Sequence, residues 1–314
     1  MPDVIAVGNV NVDITASIPR WPRGDEKLVA ERAHVCLGGA AANFAIACSR
    51  LGLSCGLIAV VGGDALGEFA LEELEARGVD VSHIARIEGA HTGMALILRA
   101  GQSRGIISCR GANEALSPEH IDTAYLASAR LVLAASIRLG VAEALASACS
   151  ELGIPLFLDP GGTLASRGLH ELRDVLRAVQ VFLPNEVELS KITGLKDIRA
   201  SCEALASLGV RLVAVKAGAR GCFIYDGERL LHVRALRPKR VVDRTGAGDA
   251  FNAGLTLGRL TGLSVLDSAR LGIALATLKL GRLGASNMPD LDELRAFLTS
   301  IGWERLLEAA QRTL

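Results

Sequence analysis

The chain is poor in aromatic residues, has no surplus of charge of either sign, and holds no cysteines at CxxC spacing. Each shortfall excludes something. Aromatic residues make up 4% of the 314 positions, too few for a surface that stacks bases. Lys plus Arg and Asp plus Glu balance at 34 each, so no global field draws the chain to nucleic acid or to an anionic membrane. The cysteines, at 36, 48, 55, 109, 149, 202 and 222, are odd in number. Most sit in apolar stretches, which reads as buried free thiols in a reducing compartment and not as zinc ligands or a disulfide framework. His34, His83, His91, His120, His170 and His232 are scattered without metal-ligand spacing. Asp3 stands where a signal peptide would carry basic residues. No apolar run reaches the roughly 20 residues that span a bilayer. A cytoplasmic protein is the expectation. GxxxxGK[ST] and GxGxxG are both missing, which argues against a P-loop enzyme and a dinucleotide oxidoreductase.

What is present is a large apolar fraction, 50% of the chain, enough for a sizeable core. It is arranged in short β-branched or aliphatic runs that alternate with amphipathic helices. "CGLIAVVG" (55–62), "ARLVLAAS" (129–136), "IPLFLD" (154–159), "QVFLPN" (180–185) and "RLVAVKAG" (211–218) read as strands. "DALGEFALEELEARG" (64–78) reads as a helix with Asp64 at its start and Gly78 past its end. Continuous apolar strands alternating with helices predict an α/β fold, a mostly parallel sheet covered on both faces. Two stretches break the rhythm, about 13–36 and 92–111. Both read as antiparallel hairpins, either a lid or an ordinary edge extension. After residue 246 the pattern is helical. There is no repeat, low-complexity tract or linker, so one domain over 1–314 with a small β lid is expected.

The stretch "DRTGAGDAFNAG" (243–254) asks for an explanation. A helix starting there leaves its first amides unpaired, and with the helix dipole those donors suit an anion. Asp249 in the same turn would repel a phosphate. Either it is a helix cap, or it accepts a proton from a hydroxyl that attacks a held phosphoryl group.

The longer run "VVDRTGAGDAFNAG" resembles the C-terminal signature of the ribokinase-like (PfkB) carbohydrate kinases. "LGGAAANFAIACSRLG" is similar to that family's other signature, a G-G-x-x-x-N loop entering a helix, about 200 residues earlier. "GNVNVD", "PNEVE" and the two inserts follow the family's order. The resemblance implies the ribokinase-like fold and a kinase that moves the terminal phosphoryl of ATP, with Mg²⁺, to a hydroxyl of a sugar-like acceptor. ADP is an alternative donor.

The same resemblance implies roles for individual residues. Asp249 would be the general base, and the amides of Gly246, Ala247 and Gly248 the anion hole. Asp243 and Thr245 would bind a monovalent cation such as K⁺, or simply form the turn. Asn11, Asp13, Gly38, Gly39 and Asn43 would hold the acceptor. Asn185 and Glu188 would order water around Mg²⁺ and the phosphates, or would cap a helix. Lys216, Gly218 and Gly221 would lie along the nucleotide, or would form a tight turn. Thr277 and Lys279 are the polar side chains of the helix expected near the adenine.

Ala40 stands where typical ribokinases carry Lys, and "LAASIRLG" lacks the Glu that contacts ribose in them. Arg110 and Arg138 occur in those neighbourhoods instead, with Arg104 and Arg244 nearby in the pattern. Arginine forks match phosphate and carboxylate oxygens, so these side chains either read an acidic group on the acceptor, a sugar phosphate such as ribose 1-phosphate or a sugar acid, or are solvated surface arginines. A nucleoside or neutral sugar is the alternative, and a non-catalytic binding regulator on the same fold is a second class. Trp21 reads as lid packing. Exposed lid edges point to a homodimer through the lid.

Overall fold

The strands form in the order β1 Val4–Gly8, β2 Asn11–Ile18, β3 Arg32–Gly38, β4 Cys55–Gly62, β5 Val79–Asp80, β6 Ile84–Ile87, β7 Gly93–Ala100, β8 Ser103–Cys109, β9 Leu131–Ala135, β10 Leu156–Asp159, β11 Val179–Phe182, β12 Leu212–Lys216, β13 Cys222–Tyr225 and β14 Leu230–Val233. They are taken from a computed structural model that describes residues 1–101 and 103–311. Ten of them make one sheet in the order β14-β13-β12-β11-β10-β9-β1-β4-β5, with β6 also on β4. Pairing from β12 through β1 to β4 is parallel. All eight residues of β4 are buried, as a strand covered on both faces requires.

Alternation along β1 divides the core in two. Val4 and Ala6 face one layer with Phe44, Phe251 and Leu271. Ile5 and Val7 face the other with Leu145, Leu172 and Leu205. The first layer is closed by the helices Ala40–Arg50, Ala247–Leu260 and Val265–Leu280. The second is closed by Leu139–Leu152, Gly168–Ala178 and Ile198–Ala206. Asp64 caps its helix by accepting the Gly67 amide at 2.9 Å.

Four strands lie outside the sequence-based expectation. β5 and β6 are too short to show a period. β13 and β14 are antiparallel to β12 and to each other, and the Asp226–Gly227 pair between them is a hairpin signal.

The remaining strands make a separate small sheet, β3-β2-β7-β8. Its two antiparallel hairpins join through parallel pairing of β2 with β7, from Asn11 opposite Gly93 to Ile18 opposite Ala100. Across one face runs the row Val35, Ile14, Leu96, Ile107. Its ends are 48% and 58% exposed. Trp21 lies against β8, where a Cβ on Gly105 would meet its ring at 2.8 Å.

Cys48, Cys55, Cys149, Cys202 and Cys222 are buried, Cys36 is half-buried and Cys109 on β8 is exposed. Among the described residues no helix is long and apolar enough to cross a membrane.

Candidate active site

The parallel strands end on a common edge, where an open α/β sheet presents its ligand face. Asp159 closes β10 and Lys216 closes β12. The helix Ala247–Leu260 begins above this edge. Gly246 precedes it at φ 79°, a left-handed conformation that side chains disfavour. A Cβ at Gly246 would also lie 2.2 Å from the Ala285 carbonyl.

Asp249 lies in the first turn of that helix. Its Oδ2 accepts a hydrogen bond from Asn43 Nδ2 at 2.8 Å, across 206 residues of chain. The contact brings the two glycine-rich stretches together. Asn43 is buried, in the first turn of Ala40–Arg50, and Asn9 Oδ1 accepts the Ala40 amide at 3.0 Å. The amides around Asp249 divide in a way the sequence does not reveal. That of Ala247 donates to the Arg244 carbonyl at 3.3 Å. Those of Gly246, Gly248 and Asp249 have no acceptor among the described residues. The free donors therefore include Asp249 itself, and Ala247 drops from the expected set.

Burial pushes the Asp249 carboxyl up to about 7, the charge of Asp159 adds to the effect, and Asn43, Lys216 and Lys279 oppose it. Asp159 is absent from the sequence reading. Its Oδ2 accepts from Lys216 Nζ at 2.5 Å and from Asn252 Nδ2 at 2.7 Å. Two signals could have found this pair. A carboxylate ends the otherwise apolar run "IPLFLD", and Asn252 stands three residues after Asp249 on the same helix face. The Oδ1 atoms of Asn43 and Asn252 are buried without a partner. One of these acceptors is on the residue that holds Asp249 and the other on the residue that holds Asp159, and buried polar atoms of this kind are normally satisfied by a donor such as a hydroxyl or a water.

Asn185 and Glu188 form a reciprocal cap. Glu188 Oε2 accepts the Asn185 amide at 2.8 Å and Asn185 Oδ1 accepts the Glu188 amide at 2.9 Å. Burial and then the Asp159 charge push Glu188 up, against Lys216 and the Asn185 bonds. The capping reading holds, and it also aims a carboxylate at Asp159 and Lys216. Gly218 and Gly221 form the turn between β12 and β13, and a Cβ on Gly221 would meet the Val233 carbonyl at 2.0 Å. Thr277 and Lys279 are not available to an adenine. Thr277 is buried and its hydroxyl donates to the Ile273 carbonyl at 2.7 Å, and Lys279 is buried with its head toward Arg282.

The other half of the site sits where the small sheet joins the large one. Asp13 is buried on β2 beside Gly38 on β3. A Cβ on Gly38 would lie 2.1 Å from Asp13 Oδ1, so any side chain at 38 displaces the carboxylate. Burial, with Asp243 second, pushes Asp13 up to about 6. Gly39 caps Ala40–Arg50. Asn11 Oδ1 accepts from Asn113 Nδ2 at 2.8 Å, and the same Nδ2 reaches the carbonyls of Val10 and Arg110 at 3.0 and 2.9 Å. Arg110 is exposed and its Nη2 lies 3.5 Å from Thr163 Oγ1. Arg138 is exposed at the start of Leu139–Leu152.

Arg99 and Arg104 face each other across β7 and β8. Arg99 donates to the Val242 carbonyl at 3.2 Å and Arg104 to Thr245 Oγ1 at 3.4 Å. With Thr15, Ile97 and Asp243 they line a cleft of about 590 Å³ that Asp249 does not reach. Asp243 Oδ1 accepts the Thr245 amide and hydroxyl at 3.1 and 2.9 Å, and its Oδ2 accepts the Gly284 amide at 3.2 Å. No cluster of three or more His, Cys, Asp or Glu residues that could hold a metal occurs among the described residues.

Comparison with known proteins agrees with this geometry. The profile of the pfkB family carbohydrate kinases matches residues 1–292. An ATP-dependent ribose-1-phosphate kinase of Halopiger xanaduensis is 33% identical over 298 residues, covering 94% of this chain and 98% of that one. The structure of Arabidopsis thaliana ribokinase complexed with ribose and ATP superposes with a TM-score of 0.86 at 29% identity, covering 95% of this chain and 98% of the other. Ribokinase of Thermotoga maritima gives 0.85 at 26% identity, covering 95% and 100%.

Proposed function

Because this chain belongs to the pfkB family of carbohydrate kinases, we propose that it phosphorylates an anionic sugar, with Asp249 as the general base. It is an ATP-dependent sugar or nucleoside kinase of the ribokinase-like fold. The observation that carries the mechanism is the position of Asp249, held by Asn43 beside amides that lack acceptors.

In the reaction, Asp249 takes the proton of the acceptor hydroxyl. The oxygen bonds to the terminal phosphorus of ATP, and the bond from that phosphorus to the bridging oxygen breaks, releasing ADP. The free amides of Gly246, Gly248 and Asp249 stabilise charge on the transferred group. Asp13 accepts hydrogen bonds from sugar hydroxyls, as a carboxylate does for a polyol, and Asn11, Gly38, Gly39 and Asn43 shape the same pocket. Mg²⁺, when bound with the nucleotide, would supply charge neutralisation at the phosphates. Glu188, whose proton affinity is raised by burial and then by the neighbouring Asp159, is suited to holding such a cation through water, and Lys216 to meeting a phosphate. A carboxylate poised near neutral pH speaks against a purely binding regulator.

Two observations favour an anionic acceptor. The main-chain carbonyl of Arg110 accepts from the Asn113 amide that also holds Asn11, and its exposed guanidinium lies 3.5 Å from Thr163 Oγ1, so a cation stands beside the Asn11 half of the site. A Cβ on Gly161 would lie 2.6 Å from Ser136 Oγ, so the Thr163 turn neighbours the loop that carries Arg138. The Halopiger relative, named for ribose 1-phosphate, fits that chemistry. A panel of ribose 1-phosphate, fructose phosphates, 2-keto-3-deoxygluconate, ribose and nucleosides, with ATP and ADP as donors, tests the reading. Arg110→Ala and Arg138→Ala are each expected to raise KM for the best anionic acceptor by about tenfold or more, the worth of a charge-assisted hydrogen bond. Unchanged kinetics in both variants would remove the anion reading and leave a neutral sugar or nucleoside.

We also propose a homodimer through the small sheet. The exposed apolar row from Val35 to Ile107 and the open edges β3 and β8 support it. Light scattering is expected to give twice the monomer mass, and Ile107→Glu to return it to one.

A further inference from the structure

Lys279 sits in the last turn of Val265–Leu280 with its side chain 0% exposed. Burying an ammonium costs several kcal/mol unless its surroundings repay it. The surroundings are unusual. Nζ donates to the Arg282 carbonyl at 3.4 Å, its one hydrogen bond among the described residues. Cε lies 3.2 Å from the point where a Cβ on Gly246 would stand, and the Ala285 carbonyl lies 2.2 Å from the same point. Asp243 is bonded to Gly284 in the same loop. The head of Lys279 therefore lies against the Arg282 carbonyl and beside the Ala285 segment, within reach of the Asp243 charge, directly behind the turn that carries the free amides. Carbonyl and carboxylate oxygens are the ligand type that hard dissolved cations also take.

We infer that Lys279 is a tethered monovalent cation, seated behind the Gly246–Asp249 turn, and that the enzyme needs no dissolved K⁺. A potassium ion held by Asp243 and Thr245 does not fit beside it. Asp243 Oδ1 already accepts two bonds from Thr245 and Oδ2 one from Gly284, and a second positive charge placed there would be repelled by the ammonium of Lys279, on which the Asp243 charge already acts. Burial lowers the pKa of Lys279, while Asp243, Cys36 and Asp249 act to keep it charged. The fixed charge holds the anion turn in shape and acts on Asp249 from behind, so Lys279 is a positioning residue.

The inference rests on the kinase reading of Asp249, and its test separates the two. Turnover and thermal stability are measured in tetramethylammonium buffer with and without saturating KCl. Wild type is expected to change kcat by less than about twofold and to keep its Tm. Lys279→Met, isosteric but neutral, is expected to lose about 10²–10³-fold in kcat, the scale of a lost electrostatic donor. K⁺ or NH₄⁺ should recover at least about tenfold of that loss and raise the variant's Tm. Tenfold activation of wild type by K⁺ would overturn the inference. So would a folded Lys279→Met that keeps wild-type turnover without K⁺, or one that stays inactive and thermally indifferent to every cation. Should the Met variant fail to fold, Lys279→Arg is expected to retain K⁺-independent turnover, and K⁺ activation of it would overturn the idea. Absence of turnover by wild type on every acceptor would sink the kinase reading instead, while the Tm arm would still report on the cation.

Discussion

Asp249→Asn is expected to lower kcat by about two to four orders of magnitude, the usual contribution of a positioned general base, with ATP affinity measured by calorimetry nearly unchanged. Asn keeps an acceptor for Asn43 Nδ2 but cannot take the proton. In wild type the base must be ionised, and its carboxyl is pushed up to about 7 by burial and by Asp159. The kcat/KM profile should therefore rise with pH and level off above about 7, and the variant should lack that limb. The same shift has a stability consequence of the opposite sense. Between about 4 and 7 the folded state binds a proton that the unfolded chain releases. Stability from this group is complete below the unfolded value of 3.8 and is lost as pH rises through about 7. Asp249→Asn is thus expected to melt higher than wild type at pH 8, and the gap should close toward pH 4. A variant with wild-type kcat, or a gap of the reverse sign, would discard Asp249 as the base.

Lys216→Met is expected to be the most destabilising single change at the site. Lys216 and Asp159 meet at 2.5 Å with side chains 15% and 9% exposed. Removing one partner of a buried pair leaves a charge without compensation and costs about 3–5 kcal/mol, readable as a lower urea midpoint. The activity change is separate. Lys216 is one of the groups that hold the Asp249 titration down, so its loss should move the acid limb of kcat/KM to higher pH. Asp159→Asn should move that limb to lower pH, because the like charge disappears. Combining the two should recover much of the lost stability. An unshifted limb in both single variants would show that Asp159 and Lys216 do not act on Asp249.

How much of this was legible in the sequence depends on the range of the interaction. Strand and helix alternation follows from local periodicity, and the buried run of β4 and the capped helix after Asp64 read directly. The glycine turn before Asp249 was visible because a left-handed backbone needs glycine. The hydrogen bond from Asn43 to Asp249 has no local trace; the family resemblance places Asn43 in the acceptor pocket and Asp249 at the phosphoryl site without joining them. Asp159, Asn252 and Lys279 were missed as site residues, or given another role, for one physical reason. Each sits in an apolar run whose pattern is that of core, and only the fold turns its polar end toward the site. The family resemblance places the amide of Ala247 in the anion hole. A turn of the preceding chain gives it to Arg244 instead.

All four strands of the small sheet meet the body at one end, where Asn11 is registered with Gly38 and Gly93. There the Asn113 amide clasps Val10 and Arg110 together. The sheet is consequently a cantilever: Asn11 and Asp13 stay near its root while Arg99 and Arg104 sit toward the tip, at the β7–β8 bend. That tip latches onto Val242 and Thr245, a few residues before the helix that carries Asp249, so the far end of the sheet is tied to the segment that leads into that helix.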